Sequence, residues 1–356
     1  MTSNRIERLR ETLKANDLDA FLVTSLQSIR YLSGFTGSHA LCIITHKESH
    51  FVTDGRYAHQ SKGEIKSFRR TIAVVGLFEW AARKQLLKGC RKVGFESHHL
   101  SFAQYRTLKR MFPRVSFAPT SELVEQMALV KDRSEIAAMR KAAAISERTF
   151  LEILDQIQPG VRELDIAAEI SFRQKNHGAE HDAFEPIVVS GRRGCEPHAR
   201  PTVKRMRSGE FVTMDFGCVV QGYNSDLTRT VALGSLSRRR REMYDAVLGA
   251  QRAAIDGAKG GMSARDLDAV ARLYLRGSGF GRYFIHGLGH GIGYRLHERP
   301  RISALSNDLL QAGSVVTIEP GIYIEGVGGV RIEDEVLLTA TGCRTITNVP
   351  KGLLIL

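Results

Sequence analysis

The chain has 356 residues, of which 43% are hydrophobic and 25% charged, as expected for a globular protein long enough to form two domains. No apolar run approaches the roughly 18–20 residues that a membrane span needs, which argues against a membrane protein. The formal net charge is +13, but the basic residues are spread along the whole chain, so nucleic-acid binding is not predicted as the main function.

The cysteines and the N-terminal segment predict a cytoplasmic location. Residues 1–23 alternate charged with apolar residues and lack the apolar core of a secretory signal. The cysteines are odd in number and widely scattered, which indicates free thiols in a reducing compartment. They are Cys42, Cys90, Cys195, Cys218 and Cys343.

The first 118 residues alternate between helix and strand patterns. A helical face at the N-terminus is followed by a buried strand, a hairpin around Lys47-Glu48, a helix at about 77–88, another strand and a helix from Ser101. The segments read as strands are DAFLVTS, ALCIITH, SHFVTD and KVGFE. This order predicts a small α/β domain with a mixed sheet flanked by helices.

A capping box formed by Asp132 and Glu135 opens a long helix, and the domain boundary is predicted near residue 125. The predicted domains are therefore 1–125 and 126–356. The second contains helices at about 132–157, 163–176, 238–258 and 263–277, together with the strand-like segments EPIVVSG, FVTMDFGCVV, YNSDLTRTVAL, SVVTIEPGIYI and EDEVLLTAT. These segments predict an α+β domain with an antiparallel sheet.

Four acids, Asp215, Asp226, Glu319 and Glu333, lie in these otherwise apolar strand patterns. A buried carboxylate costs several kcal/mol unless it is paired or bound to a cation. Two glycines between Asp215 and Asp226 predict a hairpin that brings these two acids opposite each other. Ion pairs with Arg229 and Arg331 are the alternative explanation for any one of the acids.

The stretch HGLGHGIGYRLHERP, residues 286–300, adds three histidines among glycines. Four carboxylates without counter-charge would raise one another's pKa, whereas two divalent cations would neutralise them. An oxygen-rich site with one imidazole suits Mn or Co better than structural Zn, and a water bridging two such ions would become a hydroxide nucleophile. The chain contains no dinucleotide-binding, phosphate-loop or serine-hydrolase motif that would indicate other chemistry.

These residues resemble the pita-bread metallopeptidases. HGLGHGIGYRLHE is similar to the signature of aminopeptidase P and prolidase, and IEPGIYI and VRIEDEVLLT are similar to the two glutamate segments of that family. YLSGFTGS and FVTDGRYA resemble the creatinase-type N-terminal domain. The resemblance covers nearly the whole chain and implies a pita-bread catalytic domain with a curved antiparallel sheet, preceded by a smaller α/β domain. Tyr294 and Leu296 depart from the signature beside the site.

The resemblance implies a role for each site residue and two divalent metal ions per subunit, Mn or Co, with Zn or Fe as alternatives. Glu319 would also carry protons, and His297 would stabilise the scissile carbonyl oxygen. His286 and His198 would contact substrate, and Arg331 would orient carboxylates. The implied metal ligands are Asp215, Asp226, His290, Glu319 and Glu333, with Asp226 and Glu333 bridging the two ions.

The substrate implied is a small peptide with proline at the second position. Retention of all five ligands argues against creatinase, and the N-terminal domain argues against a methionine aminopeptidase. Arg301, four residues after His297, would bind the free carboxylate of a dipeptide, which favours an archaeal-type prolidase.

Two alternatives to a prolidase remain open. An exposed strand-edge arginine at position 301 would leave aminopeptidase P, acting on longer peptides, as the alternative enzyme. A non-catalytic pita-bread binding protein is a further alternative. The family also implies a homodimer through the N-terminal domain, with residues 33–39 near the neighbouring active site.

Overall fold

The computed structural model describes the backbone of residues 2–356 and the side chains of residues 4–356. Residue 1, at the start of the predicted N-terminal domain, lies outside the described residues. The chain divides into two compact units between Ala128 and Leu129. The boundary predicted near residue 125 falls within a helix, Leu123–Ala128. Among residues 2–356, no helix combines the length and the apolar character that crossing a bilayer requires.

The N-terminal unit is a mixed sheet with helices. Its helices are α1 (Thr2–Ala15), α2 (Leu26–Ser33), α3 (Ala58–Glu64), α4 (Leu77–Arg83), α5 (Phe102–Met111) and α6 (Leu123–Ala128). Its strands are β1 (Ala20–Val23), β2 (Ala40–Thr45), β3 (Ser49–Asp54), β4 (Arg69–Ala73), β5 (Lys92–Glu96) and β6 (Ser116–Thr120), in the sheet order β4-β3-β2-β1-β5-β6. The predicted hairpin is confirmed as the antiparallel pair β2–β3. Helix α4 ends earlier than predicted, because Gln85 adopts a left-handed φ of 53°.

The C-terminal unit contains four α-helices and thirteen short strands among its described residues. The helices are α7 (Arg133–Ile153), α8 (Glu163–Asn176), α9 (Arg238–Gly257) and α10 (Ala264–Gly277). The strands are β7 (His181–Asp182), β8 (Ile187–Ser190), β9 (Glu210–Phe216), β10 (Cys218–Val220), β11 (Tyr223–Asn224), β12 (Leu227–Leu233), β13 (Gly289–Gly291), β14 (Glu298–Ile302), β15 (Val315–Ile318), β16 (Gly321–Ile324), β17 (Gly328–Arg331), β18 (Asp334–Leu338) and β19 (Cys343–Thr345).

All strand pairs of this unit are antiparallel, which confirms the predicted α+β class. The sheets run β11-β10-β7, β12-β9-β8, β14-β13-β15-β18-β19 and β16-β17. The capping box is also confirmed: the Asp132 carboxylate accepts hydrogen bonds from the backbone of Ser134 and Glu135, and the Glu135 carboxylate accepts one from the Asp132 amide. Alanine- and leucine-rich faces of α9 and α10 pack in one apolar cluster with Val316, Ile318 and Val336 of the five-stranded sheet. Burial of this face anchors the strands that carry the site.

The hairpin between β9 and β12 differs in register from the prediction. Asp215 lies opposite Thr228, and Asp226 lies just beyond the last pair of the ladder, so the two acids are not directly opposite each other. Close contact between Gly217 and the backbone of Ser225 sets this arrangement, since a Cβ at position 217 would lie 1.8 Å from the Ser225 carbonyl oxygen. The two carboxylates are therefore related diagonally across the hairpin.

Candidate metal centre

Neighbouring strands of the C-terminal unit bring the predicted acids and His290 to one place. Asp215 is near the end of β9, and Asp226 directly precedes β12. His290 is the central residue of β13, Glu319 directly follows β15, and Glu333 lies just before β18. Because β15 is paired with both β13 and β18, the last three side chains come from adjacent strands.

His290 lies close to two of the carboxylates. Its Nε2 lies 3.6 Å from Asp226 Oδ2 and 3.6 Å from Glu319 Oε1. One ligand atom each from Asp226, His290 and Glu333 lies within 4.8 Å of the others, a spacing that could hold a metal ion. Asp215 lies close enough to interact electrostatically with this cluster. Repulsion from its carboxylate contributes to the raised pKa values of Asp226, Glu319 and Glu333.

The negative charge of these carboxylates is poorly compensated by positive groups of the protein. Burial, followed by repulsion from Glu333 and Asp215, raises the pKa of Asp226 well above its usual value. Burial and repulsion from Glu319 do the same for the pKa of Glu333. Burial raises the pKa of Glu319 to about 8, although Arg331 acts to lower it. These raised pKa values indicate that the site, with its carboxylates ionised, needs additional positive charge.

Two carboxylate oxygens of the predicted ligands lack a hydrogen-bond donor among the described residues. Asp215 Oδ1 and Glu333 Oε1 are buried and accept no hydrogen bond from residues 4–356. Leaving such atoms without a partner is costly, whereas a hard divalent cation would satisfy them. Oxygen donors with a single imidazole are a suitable ligand set for such an ion, so the residues present fit a metal centre.

His290 is prepared to act as a ligand. Its Nδ1 lies 3.0 Å from the Gly291 carbonyl oxygen, so a proton on Nδ1 leaves the Nε2 lone pair directed at the carboxylates. Burial, with a contribution from His297, lowers the pKa of His290 to about 4. The imidazole is therefore neutral at neutral pH, the form that binds metals.

The other predicted histidines surround this cluster. The ring of His297 stands edge-on to that of His290, with ring centroids 4.3 Å apart, and its side chain is exposed. His286 Nε2 lies 3.0 Å from the Tyr323 hydroxyl, and burial lowers the pKa of His286 to about 4. His198 is exposed, and its charge acts on both His286 and His297, which places it beside them.

The two arginines considered as ion-pair partners have different positions. Arg331 contacts the Asp215 carboxylate and also donates to the Tyr323 hydroxyl at 2.8 Å and the Pro197 carbonyl at 3.2 Å. Arg229 instead pairs with Asp334 at 2.7 Å. Of these four acids, only Asp215 pairs with an arginine among the described residues, so simple ion pairing does not explain the cluster.

Three residues that support the site were not identified as functional from the sequence. Tyr323 links His286 to Arg331, and the Thr228 hydroxyl donates to Glu333 Oε2 at 2.7 Å. Glu335 Oε1 accepts a hydrogen bond of 2.7 Å from the Asp226 amide. The sequence contained a signal for Glu335, because alternate residues of a strand face the same side and Glu335 is two residues after Glu333. The other two contacts depend on strand pairing and have no sequence signal.

Comparisons with known proteins cover both units. The model for metallopeptidase family M24 matches residues 137–340, and that for the creatinase/prolidase N-terminal domain matches residues 5–130. A Xaa-Pro dipeptidase of Pyrococcus furiosus is 35% identical over 352 residues, covering 98% of this chain and 99% of the relative. A solved Xaa-Pro dipeptidase from Bacillus anthracis is 39% identical, with full coverage of both chains and a TM-score of 0.97.

A solved X-Pro aminopeptidase from Thermotoga maritima is 35% identical, covers 97% of this chain and 100% of its own, and has a TM-score of 0.91. These matches confirm the predicted resemblance and the predicted two-domain fold class. The chain belongs to metallopeptidase family M24.

Proposed function

We propose that this metallopeptidase hydrolyses the Xaa-Pro bond of dipeptides. The observation that carries the proposal is the cluster of Asp226, His290 and Glu333, together with the buried carboxylate oxygens of Asp215 and Glu333 that have no donor in the described chain. Similarity to Xaa-Pro dipeptidases over nearly the whole chain supports the substrate class.

The proposed ligands of two divalent ions are the five residues at this cluster. Mn or Co fits the oxygen-rich set best, with Zn or Fe as alternatives. Such ions would offset the carboxylate charge and supply Lewis-acid activation of water for hydrolysis. The residues that would hold these ions are Asp215, Asp226, His290, Glu319 and Glu333.

Proton transfer is assigned to Glu319. Its carboxylate accepts a hydrogen bond from the Thr317 hydroxyl at 3.3 Å and lies against His290. Glu319 would take a proton from the attacking water as the C–O bond forms. It would then deliver that proton to the prolyl nitrogen as the C–N bond breaks.

Side chains around the cluster would bind and orient the peptide. The His297 imidazole is proposed to donate to the scissile carbonyl oxygen as negative charge develops there. His198 and His286 would line the substrate side, and Arg331 would keep the Asp215 carboxylate oriented through their ion pair.

Selectivity for dipeptides is assigned to Arg301. This residue lies directly opposite His290 across the β13–β14 ladder, and its charge acts on both His290 and His297. A guanidinium beside these two histidines would bind the carboxylate that follows the proline of a dipeptide.

The second candidate is a Xaa-Pro aminopeptidase that cuts longer peptides. The side chain of Arg301 is exposed, as a strand-edge arginine would be. An X-Pro aminopeptidase is also among the similar structures. The two activities differ in whether a chain may continue beyond the proline.

Paired hydrolysis assays after loading with Mn or Co distinguish these candidates. A Xaa-Pro dipeptide is compared with the same sequence extended by two residues, on wild type and Arg301→Ala. Faster cleavage of the dipeptide, with loss of that advantage in Arg301→Ala, is expected. Equal or faster cleavage of the longer peptide would assign the protein as an aminopeptidase, and absence of metal-dependent cleavage of either peptide would contradict both candidates.

We further propose a cytoplasmic homodimer formed through the N-terminal domain, with residues 33–39 near the neighbouring active site. All five cysteines are free in the structure, which agrees with a reducing compartment. The family resemblance supports the dimer. Gel filtration tests it: a fully active monomer of about the chain mass of 39.6 kDa would contradict this assembly.

A further inference from the structure

The C-terminal unit contains a buried ion pair close to the proposed centre. Lys131 Nζ lies 2.6 Å from Glu298 Oε2, and the two side chains are only 1% and 3% exposed. Lys131 precedes helix α7, whereas Glu298 opens β14 directly after His297. Burying a lysine and a glutamate requires desolvation of both charges, so such a pair is weak evidence for added stability. Its position indicates that it orients neighbouring residues.

The pair is packed against the turn that carries His297. We call residues 291–298 the His297 turn. Glu298 Oε1 accepts a hydrogen bond from the Arg295 amide at 3.0 Å, and the Gly293 amide donates to the Arg295 carbonyl at 3.1 Å. A Cβ at Gly293 would lie 2.8 and 2.9 Å from the Glu298 carboxylate oxygens and 2.9 Å from Lys131 Cε. The ion pair therefore occupies the space directly beside the turn backbone.

A second set of hydrogen bonds ties the same turn to Asn224 of β11, in the segment that leads to Asp226. The Asn224 backbone amide and its side-chain Nδ2 both donate to the Gly293 carbonyl oxygen, at 2.9 and 2.8 Å. Asn224 is itself buried and lies two residues before Asp226. Gly293 is thus held from one side by the ion pair and from the other by the segment leading to a proposed metal ligand.

We propose that the Lys131–Glu298 ion pair is a positioning device for His297. It holds the His297 turn so that the exposed imidazole stays edge-on to His290, at the observed ring separation of 4.3 Å. Lys131 and Glu298 are positioning residues, because they act through His297. The catalytic consequence rests on the proposed function, whereas the effect on the turn does not.

The first test removes both charges together, with Lys131→Met/Glu298→Gln. Either single substitution would leave an uncompensated buried charge and could unfold the protein, but the double variant keeps side-chain length and an acceptor for the Arg295 amide. We expect at least a tenfold fall in kcat on a Xaa-Pro dipeptide, with KM and bound metal within threefold of wild type. In a His297→Ala background the same double substitution should lower kcat by less than twofold. If the double substitution lowers kcat by the same factor in the His297→Ala background as in wild type, the proposal is overturned.

The second test measures the turn without catalysis. Hydrogen–deuterium exchange of the Gly293, Arg295 and Asn224 amides in metal-loaded protein should be at least tenfold faster in the double variant. Lys92→Met is the matched control, because its ion pair with Asp17 is exposed and belongs to the other unit. Unchanged exchange at all three amides would overturn the positioning role. Faster exchange in a protein that cuts no Xaa-Pro peptide would contradict the proposed function and leave the positioning role supported.

Discussion

His290 lies directly opposite Arg301 across the β13–β14 ladder, and the ladder is bulged immediately after His290. The bulge requires glycine at position 291, because a Cβ there would lie 2.0 Å from the Arg299 carbonyl oxygen. A proposed metal ligand and a proposed substrate anchor therefore occupy one pair of the same ladder. Movement of this ladder would shift the positions of both side chains together.

The position of Arg301 predicts discrimination between a free and a capped carboxylate. We expect a Xaa-Pro dipeptide to be cut with about 10- to 100-fold higher kcat/KM than its C-terminal amide, as expected for a charge-assisted hydrogen bond worth ~1.5–3 kcal/mol. Arg301→Lys should keep part of this ratio, since lysine supplies charge without the bidentate fork, and Arg301→Met should abolish it. Steady-state kinetics on the two peptides checks this, and equal rates for both with wild type would contradict it.

Substitution of Glu319 by its neutral isostere tests the proton-transfer role. Glu319→Gln should lower kcat by about 10²–10⁴-fold, the usual contribution of general acid–base catalysis. Asp226→Asn should reduce bound metal as well as activity, which metal analysis of the purified protein would detect. Glu185→Gln, at a side chain that is 64% exposed, is the control and should behave as wild type. Full activity in Glu319→Gln would assign proton transfer to another group.

The uncompensated acids predict an unusual pH dependence of stability in metal-free protein. Burial raises the pKa of Glu319 and of Glu335 to about 8, so above pH 6.5 the folded state binds more protons than the unfolded state. The free energy of unfolding should then fall as pH rises from 6.5 to 8, by about 2 kcal/mol for each carboxyl. His286 and His290, whose pKa values are lowered to about 4, act in the opposite direction, mainly below pH 6.5.

Urea unfolding of EDTA-treated protein at pH 6.5 and 8.5 measures this difference. Excess Mn²⁺ should stabilise the protein more at the higher pH, because metal binding replaces the protons. Equal stability of the metal-free protein at the two pH values would contradict the proposed charge imbalance.

Gly217 provides a test of the hairpin that positions Asp226. Gly217→Ala would place its Cβ 1.8 Å from the Ser225 carbonyl oxygen, so we expect about 1–3 kcal/mol of destabilisation and weaker metal binding. Gly277→Ala is the matched control, because nothing lies within 4 Å of its Cβ and it ends helix α10. Thermal unfolding and metal titration of the two variants should differ clearly, and similar behaviour would show that the close contact has no influence.

The sequence by itself was sufficient for the local features of this protein. The α7 capping box uses residues three apart, and the strand containing Glu319 is visible from its apolar neighbours. Acids placed in such strands, with histidines among glycines, point to a charged centre because buried charge needs compensation. Helix α4 was predicted too long, because Gln85 adopts a left-handed conformation that its residue type does not indicate.

Only the tertiary structure decided which distant residues meet. The hairpin register that separates Asp215 from Asp226, the Tyr323–His286 contact and the Lys131–Glu298 pair all depend on strand pairing and packing. Lys131 and Glu298 are 167 residues apart, and neither differs in local pattern from a solvent-exposed charge. Local sequence patterns report periodicity and turn chemistry over a few residues. Contacts between remote strands are set by the free energy of the whole packed sheet, and their partners become visible only in the fold.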